Sequence, residues 1–379
     1  MYQIKTLNKI SKAGLNAFDA AKYTCGDDFA APDAIIVRSA SMHEMELDPN
    51  TIAVARAGAG VNNIPVDKMS ENGVAVFNTP GANANAVKEL VLCAMLLSSR
   101  KIVPAIDWCK TLKGQGDQVS KQVEKGKSAF AGPEIKGKKL GVIGLGAIGI
   151  LVANAAEALG MEVYGYDPYL SVDAAWSLST SIRHAKDLKE IFANCDYITV
   201  HVPLTDETRD LVRAETIATM KDGVRILNFA RGDLVNSADI LAALAEGKVA
   251  AYVTDFPTDE MLGATGVIAI PHLGASTPES EDNCAMMAAR QVRDYLDNGN
   301  IVNSVNLPVL SMAWAAKNRV CVLTKGADAA AIAAAVPAVA SASKTRGEYG
   351  YFLLDTDAQV DTAAIAALPG VLRVRVLHQ

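Results

Sequence analysis

Apolar residues in this chain fall into short unbroken runs, separated by longer stretches with helical spacing. Over residues 1–80 a polar, strand-like start (Met1 to Ile10) is followed by AIIVRS (Ala34 to Ser39), TIAVARAG (Thr51 to Gly58) and VAVFNT (Val74 to Thr79). Runs of this length, alternating with helical patterns, predict a small parallel α/β lobe. A long helix is expected in NANAVKELVLCAMLLSSRK from Asn83, and a polar, Gly/Lys-rich surface connection over 111–136. The period of the apolar positions supports the helix.

A second α/β unit starts at Lys138. Its expected strands are Leu140 to Ile143, Val163 to Asp167, Asp196 to Pro203, Val224 to Ala230, Val249 to Phe256 and Val267 to His272, with helices between them. An amphipathic helix from Glu279, stopped at Gly299, leads back to the first lobe. Residues 312–379 change pattern. RVCVLTKG, an Ala-rich helix (Asp328 to Val336), VASASKTRGEYGYFLLDT, a short helix (Asp361 to Leu368) and VLRVRVLH give strand–helix–strand–strand–helix–strand, a split βαβ, ferredoxin-like order. The fold class expected is α/β, with two doubly wound parallel-sheet lobes (a substrate lobe and a Rossmann lobe) plus a small C-terminal ferredoxin-like α+β domain. The domain boundaries expected are 1–87 with 275–306, 88–274 and 312–379.

Composition removes several alternatives. A net charge of −6 with no basic stripe points away from nucleic acid. The longest apolar run carries interspersed glycines and then Glu157, which suits a dinucleotide fold better than a membrane span. The six cysteines form no C-x-x-C pair and read as reduced, mostly buried residues of a cytoplasmic protein. The start of the chain shows no signal-peptide pattern. No metal is expected.

The sharpest chemical signal is KKLGVIGLGAIGILVANAAEALG, opening at Lys138. Gly144, Gly146 and Gly149 lie between a buried-strand pattern and a helix running from Ile148 towards Leu159. In that context the first glycine permits a tight turn, the second lets backbone approach a pyrophosphate, and the third lets helix pack on strand. The pyrophosphate faces the helix N-terminus. Asp167 ends the next strand at about the ~20-residue spacing of a ribose-binding carboxylate, and its charge favours NAD over a 2′-phosphorylated cofactor.

Beyond the motif, Arg231, Glu260 and His272 each fall near a strand end. Ligands of doubly wound folds bind past the carboxyl ends of strands. A histidine can take a hydroxyl proton near neutral pH, a carboxylate can orient it, and an arginine can grip a carboxylate with two hydrogen bonds. This set suits oxidation of a 2-hydroxy acid, with hydride passing to a nicotinamide.

GLGAIG, Asp167, HVPLT (His201 to Thr205), NFARG (Asn228 to Gly232) and PHLGAST (Pro271 to Thr277) occur in this order. With VRSAS (Val37 to Ser41), ARAGAGVNN (Ala55 to Asn63) and NTPGANANAVKEL (Asn78 to Leu90), they resemble the D-isomer-specific 2-hydroxyacid dehydrogenases through about residue 305. The resemblance implies that His272 is the acid/base, Arg231 the anchor of the substrate carboxylate and carbonyl, and Glu260 the partner of His272. Counting from Asp255 selects Glu260, whereas counting from Phe256 selects Asp259; Glu260 is taken for its residue type.

For the cofactor the resemblance implies pyrophosphate contacts from Ala147 and Ile148, adenosine and ribose contacts from His201, Pro203 and Thr208, and a carboxamide contact from Asp255, with Ala230 and Gly274 also lining the site. For a phosphorylated 2-hydroxy acid it implies Arg38, Ser39, Arg56 and Asn83, with backbone N–H groups of Ala57 to Val61, Ala59 and Gly60 among them. It further implies a homodimer or homotetramer formed through the nucleotide domains. The alternative substrates are unphosphorylated hydroxypyruvate or glyoxylate, and the alternative class is an NAD-sensing binding protein. The tail resembles an ACT regulatory domain in its element order. Its loop Thr324 to Asp328 departs from the Asn/His and Pro-Gly pattern of serine-binding members, so an assembly role is expected there.

Overall fold

The computed structural model describes residues 1–379. The first sheet has strands β1 (Tyr2–Leu7), β2 (Tyr23–Gly26), β3 (Ala34–Val37), β4 (Ala53–Arg56) and β5 (Ala75–Phe77), in the order β2-β1-β3-β4-β5. Every pairing is parallel. This is the flavodoxin-like order of doubly wound sheets. All four residues of β3 are buried, as expected for a strand covered on both faces.

The second sheet has strands β6 (Lys139–Ile143), β7 (Glu162–Tyr166), β8 (Arg183–His184), β9 (Tyr197–Val200), β10 (Val224–Asn228), β11 (Val249–Thr254) and β12 (Val267–Ala269). Its order is β12-β11-β10-β9-β6-β7-β8, again wholly parallel. The order reverses beside β6, which puts the ligand crevice of this architecture at the carboxyl ends of β6 and β9. The surface connection expected over 111–136 contains a helix, Val119–Gly126, and the chain is helical before it over Ile102–Thr111. Neither helix buries a residue. The cysteines are all free, and Cys93 and Cys109 are exposed rather than buried. No helix is long and apolar enough to cross a membrane.

The third sheet has strands β13 (Asn318–Lys325), β14 (Ala340–Arg346), β15 (Tyr349–Thr356) and β16 (Val371–His378), antiparallel in the order β14-β15-β13-β16. This is the ferredoxin-like arrangement anticipated for the tail. Its strands alternate by face. Val320, Val322, Phe352 and Leu354 pack under Ile332 and Ile365 of the two tail helices. Cys321, Leu323, Tyr351 and Leu353 instead join the core of the first sheet and the helix Pro278–Asn298.

The chain therefore divides into two compact units, Met1–Asn83 with Thr277–Gln379, and Ala84–Ser276. The tail, expected as a separate domain, falls in the first unit. The physical reason is the core that one face of the tail sheet shares with the first sheet, reinforced by the hydrogen bonds of a buried arginine. Arg319 and Asp355 have fully buried side chains and pair through Nε–Oδ1 at 2.7 Å and Nη2–Oδ2 at 2.9 Å. Arg319 also donates to the carbonyls of Asn298, Met312 and Ala313, and its guanidinium lies 4.5 Å from the Trp314 ring centroid. All five guanidinium N–H donors are thereby used. One side chain ties the tail sheet to the end of a first-unit helix and to the chain that follows it.

Removing one partner of such a pair leaves a buried charge without compensation. Asp355→Ala is expected to destabilise the protein by about 3–5 kcal/mol. The double change Arg319→Met with Asp355→Leu should cost clearly less, because no lone charge remains. Urea unfolding of the two variants against wild type checks both; equal losses would show that packing, not charge, holds the tail.

Candidate active site

The glycine loop can be tested residue by residue. Gly144 has φ +92°, and a Cβ there would lie 2.6 Å from the His201 carbonyl oxygen. At Gly149 a Cβ would lie 1.9 Å from the Gly144 carbonyl oxygen, so the helix Ala147–Ala158 reaches its distance from β6 only without a side chain there. A Cβ at Gly146 would meet nothing within 4 Å. Two glycines are thus required by the chain itself, whereas the space at the third is kept for something else. No side chain caps the helix, so its first N–H groups, around Ala147 and Ile148, are open to an anion.

Asp167 follows β7 and accepts from the Leu145 N–H at 2.9 Å and the Tyr169 N–H at 2.8 Å. The carboxylate is held against the glycine loop. His201 follows β9, and its Nε2 lies 2.9 Å from Thr199 Oγ1. Burial pulls its pKa down to about 4, so the ring is neutral at physiological pH. Thr208 Oγ1 donates to the Pro203 carbonyl at 2.7 Å, fixing the turn after β9. Gly144, Asp167, His201, Pro203 and Thr208 therefore lie past the carboxyl ends of neighbouring strands.

The chemistry-bearing residues lie along the same edge. Arg231 follows β10, Asp255 follows β11 and His272 follows β12, which are adjacent strands. The Arg231 turn is clamped by Asn228, which is fully buried. Asn228 Nδ2 donates to the Arg231 carbonyl at 2.8 Å and its Oδ1 accepts from the Ala230 N–H at 3.2 Å. The Arg231 guanidinium is exposed and donates to the Ala230 carbonyl at 2.6 Å.

Asp255 is 2 % exposed, and neither carboxylate oxygen has a hydrogen-bond partner. Burial raises its pKa, opposed by the positive charges of His272 and Arg231. The backbone N–H groups of Asp255 and Gly274 lie near enough to favour the charged form, but neither closes a hydrogen bond. A buried acceptor without a donor costs free energy, so this carboxylate suits a ligand that donates. An amide fits, and with the open Gly146 and the uncapped helix it makes the site suitable for a nicotinamide dinucleotide.

Not every expected contact forms. Glu260 and Asp259 are exposed on the 3-10 turn Asp259–Met261, and no hydrogen bond or ion pair joins either to His272. The His272 ring packs on Phe256 instead, with centroids 4.6 Å apart. The sequence reading singled out neither Asn228 nor Phe256. NFARG and TDFP contain them, but their roles depend on side-chain direction.

In the first unit, Arg38 pairs with Glu281 at 2.7 Å, and Arg56 Nε donates to the Arg38 carbonyl at 3.1 Å. The Ser39 N–H donates to Asn8 Oδ1 at 2.9 Å. Asn78 holds the Ala59 carbonyl at 2.7 Å. The N–H groups of Ala59, Gly60 and Val61 find no acceptor in the chain, which leaves a run of donors suited to an anion. Asn83 is half-buried at the end of this segment.

A parallel dinucleotide-type sheet defines the class, and comparison shows what it is similar to. Residues 92–274 match the family described as D-isomer specific 2-hydroxyacid dehydrogenase, NAD binding domain. Over this stretch the chain is similar to the NAD-binding domain of that family. It is 33% identical over 329 residues to the D-3-phosphoglycerate dehydrogenase of Bacillus subtilis, covering 82% of this chain and 60% of that protein. It is 38% identical over 284 residues to the enzyme of that name from Mycobacterium tuberculosis, covering 73% of this chain and 51% of that protein. The chain thus spans between half and three fifths of these relatives' lengths.

Among solved structures, NAD+-bound 3-phosphoglycerate dehydrogenase of Entamoeba histolytica aligns with TM-score 0.63 at 25% identity, covering 82% of this chain and 99% of that chain. A glyoxylate reductase from Paecilomyes thermophila aligns with TM-score 0.65 at 22% identity, over 80% of this chain and 98% of that chain, which speaks to fold alone.

The glycines give a clean test. Gly146→Val should leave the urea midpoint at the wild-type value but abolish NADH binding, read by NADH fluorescence titration. Gly149→Ala should instead lower the midpoint, because its Cβ has nowhere to go.

Proposed function

We propose that the chain is an NAD-dependent dehydrogenase that oxidises 3-phospho-D-glycerate to 3-phosphohydroxypyruvate, the first step of the phosphorylated route to L-serine. The observation that carries this reading is the buried, unpartnered Asp255 carboxylate, on the same edge of a dinucleotide sheet as Arg231 and His272. Bound NAD would supply the hydride acceptor. His272, free of hydrogen bonds within the chain, takes the proton of the 2-hydroxyl as the C2–H bond breaks and its hydrogen leaves as hydride. Arg231 holds the carboxylate and the developing carbonyl. Asp255 accepts from the carboxamide, Ala230 and Gly274 line the same edge, and Asp167 holds the adenosine ribose. Glu260 pairs with His272 in the complex with substrate.

Arg38 and Arg56, with Ser39 and Asn83, provide for the substrate phosphate, and the free N–H groups of Ala59, Gly60 and Val61 receive its carboxylate. Arg38 exchanges Glu281 for the phosphate, since a half-exposed ion pair is worth little against a doubly charged, multidentate anion. The protein acts in the cytoplasm, and the ferredoxin-like tail serves assembly as an ACT-like module. The assembly is a homodimer or homotetramer built on the nucleotide unit. Ile102, Val103 and Ile106 stand exposed on one helix of that unit, Ile106 at 51%. Such an apolar stripe is an expected subunit contact.

The first assay is NADH oxidation with 3-phosphohydroxypyruvate and hydroxypyruvate in parallel. A strong preference for the phosphorylated acid is expected; equal or reversed preference would assign the chain to reduction of unphosphorylated 2-keto acids. His272→Ala should lower turnover by about 10²-fold or more while NADH still binds. Full turnover in that variant would remove His272 from the chemistry. Ile106→Asp should shift the sedimentation coefficient to that of a monomer, and an unchanged coefficient would place the subunit contact elsewhere.

A further inference from the structure

We propose that Phe256 is the positioning residue for His272, and that it sets the spacing between His272 and the Arg231 turn. The inference rests on the reading of His272 as acid/base. His272 is exposed and makes no hydrogen bond or ion pair within the chain, so nothing polar fixes its ring. Its aromatic contact is Phe256, at 4.6 Å between centroids and 50° between planes. That separation and tilt fall in the range aromatic pairs favour.

Phe256 is itself held from two directions. Its N–H donates to Thr254 Oγ1 at 3.1 Å, and Thr254 is fully buried at the end of β11. On the Arg231 side it meets Gly232. A Cβ added to Gly232 would lie 3.3 Å from Phe256 Cβ, tighter than ordinary packing. The bare Gly232 backbone therefore lets Phe256 sit directly against the turn that carries Arg231. One side chain thus occupies the space beside the residue after Arg231 and packs on the ring of His272.

The consequence is kinetic. A proton acceptor must be aimed before it can act, and misplacement by about 1 Å can cost on the order of 10²-fold in rate. Phe256 touches no group assigned to the phosphate or the pyrophosphate. Its loss should thus appear in kcat and leave substrate and cofactor binding largely intact.

The test uses the full-length protein with Phe256→Ala, Phe256→Leu and Phe256→Tyr, assayed for NADH oxidation with the better of the two keto acids. The Ala and Leu variants are expected to lose about 10–100-fold in kcat, with KM and the NADH dissociation constant within about threefold of wild type. Phe256→Tyr, which keeps the ring, is expected to restore most of kcat. Wild-type kcat in both Ala and Leu variants would overturn the proposal. So would a Tyr variant as slow as the Leu variant, or a loss confined to KM or NADH binding. If Phe256→Ala unfolds, the Leu and Tyr pair decides by the same criteria. His272→Ala separates the layers: if it keeps full turnover, the acid/base reading fails first, whereas inactivity there with normal turnover in the Phe256 variants sinks this inference alone.

Discussion

The nucleotide unit depends on a steric constraint, the close approach of the helix Ala147–Ala158 to the turn that follows β6. With 1.9 Å between a would-be Gly149 Cβ and the Gly144 carbonyl, no side chain is tolerated. That approach aims the uncapped helix N-terminus into the space beside Gly146. It also sets the loop so that the Leu145 N–H meets Asp167. Once the turn is fixed, parallel topology does the rest. Every later strand of the sheet ends on the same edge, so Arg231, Asp255 and His272 arrive there without any local motif directing them.

Two histidines at strand ends show how environment divides labour. His201 is bonded to Thr199 and kept neutral by burial. It can line a site but cannot cycle a proton near neutral pH. His272 is exposed and without a hydrogen bond within the chain. The two carboxylates divide in the same way. Asp167 is satisfied by two backbone N–H groups, so its role is to hold an arrangement. Asp255 is buried with empty oxygens and carries an unmet cost that a bound donor removes.

The sequence made the two parallel sheets legible because their strands are apolar runs buried on both faces, and made the glycine loop legible because its spacing has one steric solution. Strands β2 and β8 escaped notice because each is short and lies at an edge, where less apolar surface is needed. The helix Ile102–Thr111 did not stand out because it buries nothing and begins after Lys101 in a left-handed conformation, so it looks like the fraying end of its predecessor. For Glu260 the residue type and spacing were readable, but contact with His272 was not, since a side chain on an exposed 3-10 turn is not directed by the backbone. Asn228 and Phe256 act through side-chain direction at strand ends, and no hydrophobic period encodes that.

The tail poses the same problem at larger scale. Its alternation predicts a two-faced sheet, yet one face could as well meet solvent or another chain. The buried Arg319 adds direction: Asp355 holds its guanidinium within the tail sheet, and its remaining N–H groups donate to the Asn298, Met312 and Ala313 carbonyls. Apolar contact alone is tolerant of sliding, whereas directed N–H donors are not. The tail sheet therefore packs within the first unit, and the helix Pro278–Asn298 lies in the core that both sheets share.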